Sequence, residues 1–546
     1  MTGPMAVPIP KTANRMPITS TPAPPHPWMA RPAMSMPLLV APPLMPLPSM
    51  NIATARIAGY LRPKTYANWP YRGMLTVLRN GQRLSSLPLI QHTEPTVAFN
   101  RTVLPKGTFN YDLQRLHKFY GPIVRFSVSE LSFIDSRAWQ DIYGHHGGER
   151  SFARDTRVYL PSPNGRPTIL SASNVDHSRI RRLLSHAFSE RALKSQEHYL
   201  TTYVDLLIQR LRSRVGTSVS LKDYILRSSF DIAGELEFGE SFGCLEKDTS
   251  NYWLDIMLVP VKRLVLLSSF LKIAPALAYI APYCIPKTIR EQSLARIKFT
   301  SLKVDKRFAA GDNPERPDFM SYVCRHNDEK GMSRDEIIAT FDILVSAASE
   351  TTSTAMISVF HHLLQSPDKM EKLVREIRGA FKDESEINVA GLAALPYLFG
   401  VIMEGMRLGP SAPTLLPRLV PEGGAVVCGH LLPARTSVGI SQYIINRTAS
   451  YFSEPDEFIP ERWMTLKDGG YAMTAHVPKA FMPFSFGPRV CLGKSLAWAE
   501  MRLIIAKVLY TFDVKLDSEP FAWNSQKTFV FWEKKPWTVK MSLAKD

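Results

Sequence analysis

From Tyr111 onward apolar side chains return every three to four positions, and this spacing predicts helices over 192–211, 221–236, 335–364, 369–381, 397–408 and 494–509. Leu113, Leu116 and Phe119 carry the same period until Tyr120-Gly121-Pro122 interrupts it. Two short apolar runs follow, 123–126 and 131–134, which read as strands, as do 425–427 and 539–541. Helices outnumber strands, so the pattern predicts a mainly α protein with small β-sheets. The helix over 335–364 is unusually long, roughly 45 Å, and Ser333 followed by Glu336 is a capping box that starts it. In its middle, six polar residues from Ser349 to Thr354 interrupt the apolar stretches 343–348 and 355–360. Their hydroxyls can bond carbonyls one turn back and bend the helix.

The first hundred residues follow no such pattern. Residues 1–50 hold fourteen of the 43 prolines and eight of the 21 methionines, with only Lys11, Arg15 and Arg31 charged. Proline removes backbone donors and blocks helix, so 1–100 is expected to be a disordered, Pro/Met-rich extension and 101–546 the folded domain. The apolar run 36–48 contains five prolines and is too short to span a membrane, so no N-terminal transmembrane helix is visible. Residues 264–286 are apolar but carry Lys272, Pro275, Pro282 and Pro286, which disfavours a span and suits either burial or contact with a membrane surface. The net charge of +17 is dispersed, without zinc-finger spacing or a basic stripe interleaved with aromatics, which argues against a nucleic-acid partner. Five isolated cysteines argue against a disulfide framework.

One of those cysteines has a distinctive setting. Phe484-Ser-Phe-Gly487-Pro-Arg489-Val-Cys491-Leu-Gly493 places Cys491 between two glycines and ahead of a helix. The start of a helix aims unpaired N–H groups and a positive dipole at a thiolate. Gly487 and Gly493 would let the backbone approach a flat macrocycle, and Arg489 offers a planar cation for a carboxylate. The string fills every fixed position of Phe-x-x-Gly-x-Arg-x-Cys-x-Gly and so resembles the cysteine loop of cytochromes P450, in which a cysteine thiolate is the axial ligand of haem iron.

Other segments resemble the same family in the same order. Ala347-Ala-Ser-Glu350-Thr351-Thr352 is similar to the oxygen-activation motif of the family's central helix, which implies that Glu350 and Thr351 deliver protons; Ala348 departs from the usual glycine. Glu404 and Arg407, three apart, can touch on one helix face, and Arg462 in Pro460-Glu-Arg-Trp463 can join them in a buried triad. The resemblance gives this triad a structural role beneath the haem loop. His177 and Arg181 lie one turn apart where the family has a tryptophan and an arginine facing a haem propionate, and Arg418 occupies another such position.

The resemblance, most marked toward fungal enzymes of secondary metabolism, implies one haem domain of the cytochrome P450 fold holding heme b. It implies a monooxygenase that inserts one atom of O2 into an apolar small molecule such as a terpenoid or polyketide. No flavin or dinucleotide motif is attached, so electrons would come from a separate NADPH-cytochrome P450 reductase, with Lys479 and Lys494 flanking the cysteine loop as candidate contacts. The family's usual place is the cytosolic face of the endoplasmic reticulum membrane. Two other readings share the haem site: a P450-like isomerase or dehydratase, which the Glu350-Thr351 pair disfavours, and a catalytically inactive haem-binding protein.

Overall fold

The computed structural model describes residues 106–249, 286–311, 318–328, 331–470, 473 and 475–544. The expected extension 1–100 and nearly all of the apolar run 264–286 lie outside these residues. The long helix is Arg334–Leu364, opened by the expected capping box: Ser333 Oγ accepts from Glu336 N while the Glu336 carboxylate accepts from Ser333 N. Apolar residues surround almost its whole circumference because it is buried on nearly every side. It packs against helices Leu221–Phe238, Pro396–Leu408, Lys287–Ala309 and Lys494–Thr511. Among the described residues it alone is long and apolar enough to cross a membrane, yet most of it is buried inside the protein, as befits a core helix.

The helix holding Glu404, Pro396–Leu408, lies unusually close to it. A methyl group at Gly405 would sit 2.4 Å from Val359 Cγ2, so only glycine permits the approach, and Ser358 Oγ seals it by donating to Gly405 O at 2.8 Å. Helices Glu190–Arg212 and Leu221–Phe238 complete the layer beside the central helix, and Lys494–Thr511 packs on both Glu190–Arg212 and the central helix. The predicted helices occur with ends shifted by a residue or two. Helix 369–381 is Pro367–Ala380, started by proline at its first position, where the missing N–H costs nothing.

Strands form a minor part. The larger sheet runs in the order Ile123–Ser127, Glu130–Phe133, Ser437–Ile440, Arg418–Leu419, Ala153–Arg154. Glu130 pairs in parallel with Ser437, Arg418 lies antiparallel opposite Val438, and Arg154 lies opposite Arg418. That last register sets two like charges side by side on a sheet edge, which is unfavourable unless an anion lies between them. Near the C-terminus, Lys527–Thr528 and Trp532–Glu533 form a short hairpin, and Val539–Leu543 pairs with Phe512–Leu516. Cys428 and Cys491 are free thiols among the described residues.

Candidate active site

The cysteine loop is built by its backbone. Cys491 N donates to Phe484 O at 2.8 Å, closing the loop on itself, while Ser485 and Gly487 adopt left-handed conformations at φ 64° and 74°. A Cβ at Gly487 would lie 1.8 Å from the carbonyl oxygen of Tyr143. This glycine therefore has a reason within the fold itself: its hydrogen faces the turn after helix Ala138–Tyr143. Gly493 is less crowded, with Phe188 Cε1 at 3.6 Å, and caps helix Lys494–Thr511. Because no side chain caps that helix, its first N–H groups stay directed toward Cys491.

Cys491 is hemmed in by protein and still carries accessible surface. Burial pushes its thiol up, and the Gly493 N–H, Arg181 and Lys494 pull it back only in part. Dipole and cations alone therefore do not make the thiolate. A coordinated metal ion would, because it displaces the thiol proton outright.

Four arginines gather beside this loop. Arg489 Nη2 donates to Ala172 O (2.7 Å) and Asn174 Oδ1 (3.0 Å), leaving Nη1 buried without a partner; Arg154 Nε is likewise buried and unpartnered. Arg181 Nη1 donates to Val490 O at 2.7 Å and so holds the cysteine loop from the side of helix Asn174–Ser185. Arg418 lies over the Tyr143 ring at 5.5 Å. Among the described residues no carboxylate pairs with any of these arginines. The electrostatic result is severe. Burial and then the mutual repulsion of the cluster lower Arg489 to about 9 and Arg418 to about 10; burial, then Arg489 and Arg181, lower His177 to about 3. Guanidiniums normally ionise above 12. A buried cluster of this kind suits a multiply charged anion, and the two propionates of haem fit that demand in charge and chemistry. Arg154 went unnoticed in the sequence, since only strand register brings it opposite Arg418.

Glu404, Arg407 and Arg462 meet at full burial. Arg407 donates to both Glu404 oxygens at 2.7 and 2.8 Å, Arg462 Nε donates to Oε1 at 3.0 Å, and Ile459 N and Trp463 Nε1 add bonds at 3.0 and 2.8 Å. Arg407 also reaches the carbonyls of Asn446, Pro455 and Glu457, tying three turns of the following segment to one helix.

The polar centre of the long helix does not break it. Ser349 and Thr351 back-bond to Val345 O and Ala347 O at 2.7 and 2.6 Å, Thr354 to Glu350 O at 2.7 Å, and the helix continues through them. The hydroxyls of Ser349, Thr351, Ser353 and Thr354 thus bond carbonyls of the preceding turn, as the sequence pattern led us to expect. Glu350 is buried, with Oε1 paired to Lys534 Nζ and Oε2 without a partner. Thr351 O accepts from Ser411 Oγ at 2.6 Å.

Comparison with known proteins agrees with this geometry. The family model described as Cytochrome P450 matches residues 96–541. The chain is 39% identical over 439 residues to cytochrome P450 monooxygenase astJ of Aspergillus oryzae, covering 80% of this chain and 87% of that protein. It is 39% identical over 436 residues to cytochrome P450 monooxygenase efuB of Hormonema carpetanum, covering 79% and 85%. Averantin hydroxylase of Dothistroma septosporum is 36% identical over 479 residues, covering 86% and 88%. With the cysteine loop in place, the arginines gathered beside it and these relatives sharing most of their length with it, the chain belongs to the cytochrome P450 family of haem-dependent monooxygenases.

Proposed function

We propose that Cys491 Sγ would hold the iron of heme b and that the protein hydroxylates an apolar secondary metabolite, a polyketide or terpenoid. The observation that carries this is the buried arginine cluster beside the cysteine loop, which no carboxylate among the described residues neutralises. Arg489, Arg418 and Arg154, with His177, would hold the propionates; Arg181, Phe484, Gly487 and Gly493 would hold the loop that presents Cys491. Bound haem supplies the reductive cleavage of O2, with two electrons and two protons yielding one oxygen atom in the product and one water.

The chain's own part is to orient and to move protons. Glu350 Oε2, buried and without a hydrogen-bond partner, would carry one. Thr351 Oγ1 now donates to Ala347 O and must rotate away from that carbonyl to pass a proton on. Glu404, Arg407 and Arg462 stay out of the chemistry and fix the segment before the cysteine loop. Electrons would come from NADPH-cytochrome P450 reductase. The similarity to averantin hydroxylase makes averantin a first trial substrate. A site at the endoplasmic reticulum membrane rests on family resemblance.

Reconstitution with a fungal reductase, NADPH and a panel of aromatic polyketides and terpenoids under 18O2 tests the reading. One labelled oxygen per product molecule, absent without reductase, is expected. Product formed without NADPH or O2 would instead make the protein an isomerase or dehydratase.

A further inference from the structure

We propose that Lys534 is a positioning residue for Glu350: its ammonium ties the chain's last hairpin to the acid of the central helix and leaves only one carboxylate oxygen available to carry a proton. The inference deepens the relay reading of Glu350 and rests on it. Lys534 follows strand Trp532–Glu533, 184 residues from its partner, and the two side chains are 10% and 3% exposed. Its neighbours Glu533 and Lys535 are both exposed, so water is within reach of a long, flexible side chain that ordinarily extends its charge outward. It turns inward instead. Burying an ammonium is tolerated only where a carboxylate meets it, so the pair is built rather than incidental. The ammonium occupies Oε1, which Thr354 Oγ1 also approaches at 3.4 Å, while Oε2 keeps no partner.

The hairpin is anchored to the same region by a second route. Trp532 Nε1 donates to Pro410 O at 2.8 Å, and Ser411, the next residue, donates to Thr351 O at 2.6 Å. Glu350, Lys534, Trp532, Pro410, Ser411 and Thr351 therefore form a closed ring of contacts around the acid and alcohol. Displacing the hairpin would change the setting of both groups at once.

The test compares Lys534→Met, Lys534→Arg and Glu350→Gln in the full-length, haem-loaded protein, each first shown to keep its Soret band. Amide hydrogen exchange over 527–538 should quicken about tenfold in Lys534→Met and in Glu350→Gln, and stay near the native rate in Lys534→Arg. Substrate-free NADPH oxidation with a fungal reductase should release at least about twice as much hydrogen peroxide per NADPH in Lys534→Met and in Glu350→Gln, and the double variant should add little to either. Native exchange in Lys534→Met overturns the tie. Faster exchange with a peroxide yield raised in Glu350→Gln but not in Lys534→Met overturns the positioning role. Faster exchange with a native peroxide yield in Glu350→Gln upholds the tie and removes the relay reading.

Discussion

Replacing Glu404 by alanine strips the counter-charge from two buried guanidiniums. Five donors converge on this carboxylate, from Arg407 twice, Arg462, Ile459 N and Trp463 Nε1, and none of the three charged side chains is exposed. Arg407 would keep three carbonyl acceptors and Arg462 a longer one, Glu454 O at 3.3 Å, so neither cation would be left without a partner. Breaking a buried pair by removing one member costs about 3–5 kcal/mol, a large share of a typical folding stability of about 5–15 kcal/mol. For a cooperative unit of roughly 400 residues the unfolding entropy is about 0.8 kcal/mol/K, so the melting temperature should fall by about 4–6 °C. The assay is thermal melting followed by circular dichroism and by the Soret band in parallel. Haem should be released with or before unfolding, because the segment that Arg407 and Arg462 hold leads into the cysteine loop. Burial pushes the Glu404 carboxyl up, but Arg407, Arg462 and the Ile459 N–H outweigh it and hold the group below the ordinary value of 4.5. Its contribution is therefore present above about pH 4.5 and lost as pH falls through the lower folded value, so the gap between native and variant protein should narrow only in acid. A variant that melts within about 1 °C of the native protein at neutral pH, with full haem content, would refute the argument.

Three further outcomes follow from particular contacts. Gly487→Ala should yield folded protein with little haem, read from the ratio of Soret to protein absorbance, because a methyl group would sit 1.8 Å from Tyr143 O at a φ of 74°. Burial lowers His361 to about 4, against an ordinary 6.5, so the unfolded chain takes up the proton first. Stability should fall by up to about 3 kcal/mol as pH drops from about 6.5 to about 4, and His361→Gln should flatten that part of a urea-denaturation series against pH. Lys534→Met should loosen the last hairpin and raise peroxide release, as set out above.

Much of the site was legible in sequence because it is written in short, local strings. Phe484 to Gly493 lie within ten residues, Glu404 and Arg407 one turn apart, and Ser333 with Glu336 marks the start of the central helix by chemistry that needs no tertiary context. What escaped notice depends on distance along the chain. Arg154 joins the cation cluster only through the register opposite Arg418, and Lys534 meets Glu350 across 184 residues. Trp463 bonds Glu404 from a residue that the Pro460 motif displays without saying where its indole points. Helix Lys287–Ala309 was also missed, since its charges are spread around it and its apolar face is poorly marked. A glycine needed for a close approach does not announce in the sequence which partner approaches, as Gly487 and Tyr143 O illustrate.

The central claim is that Cys491 presents a thiolate to haem iron, and the reduced carbon monoxide difference spectrum of the purified protein, beside Cys491→Ser, tests it most directly. The account predicts a thiolate-type Soret band in the native protein and its loss in the variant, with haem content and fold retained. The same band in both proteins, or none in a folded, haem-supplied native sample, would contradict it.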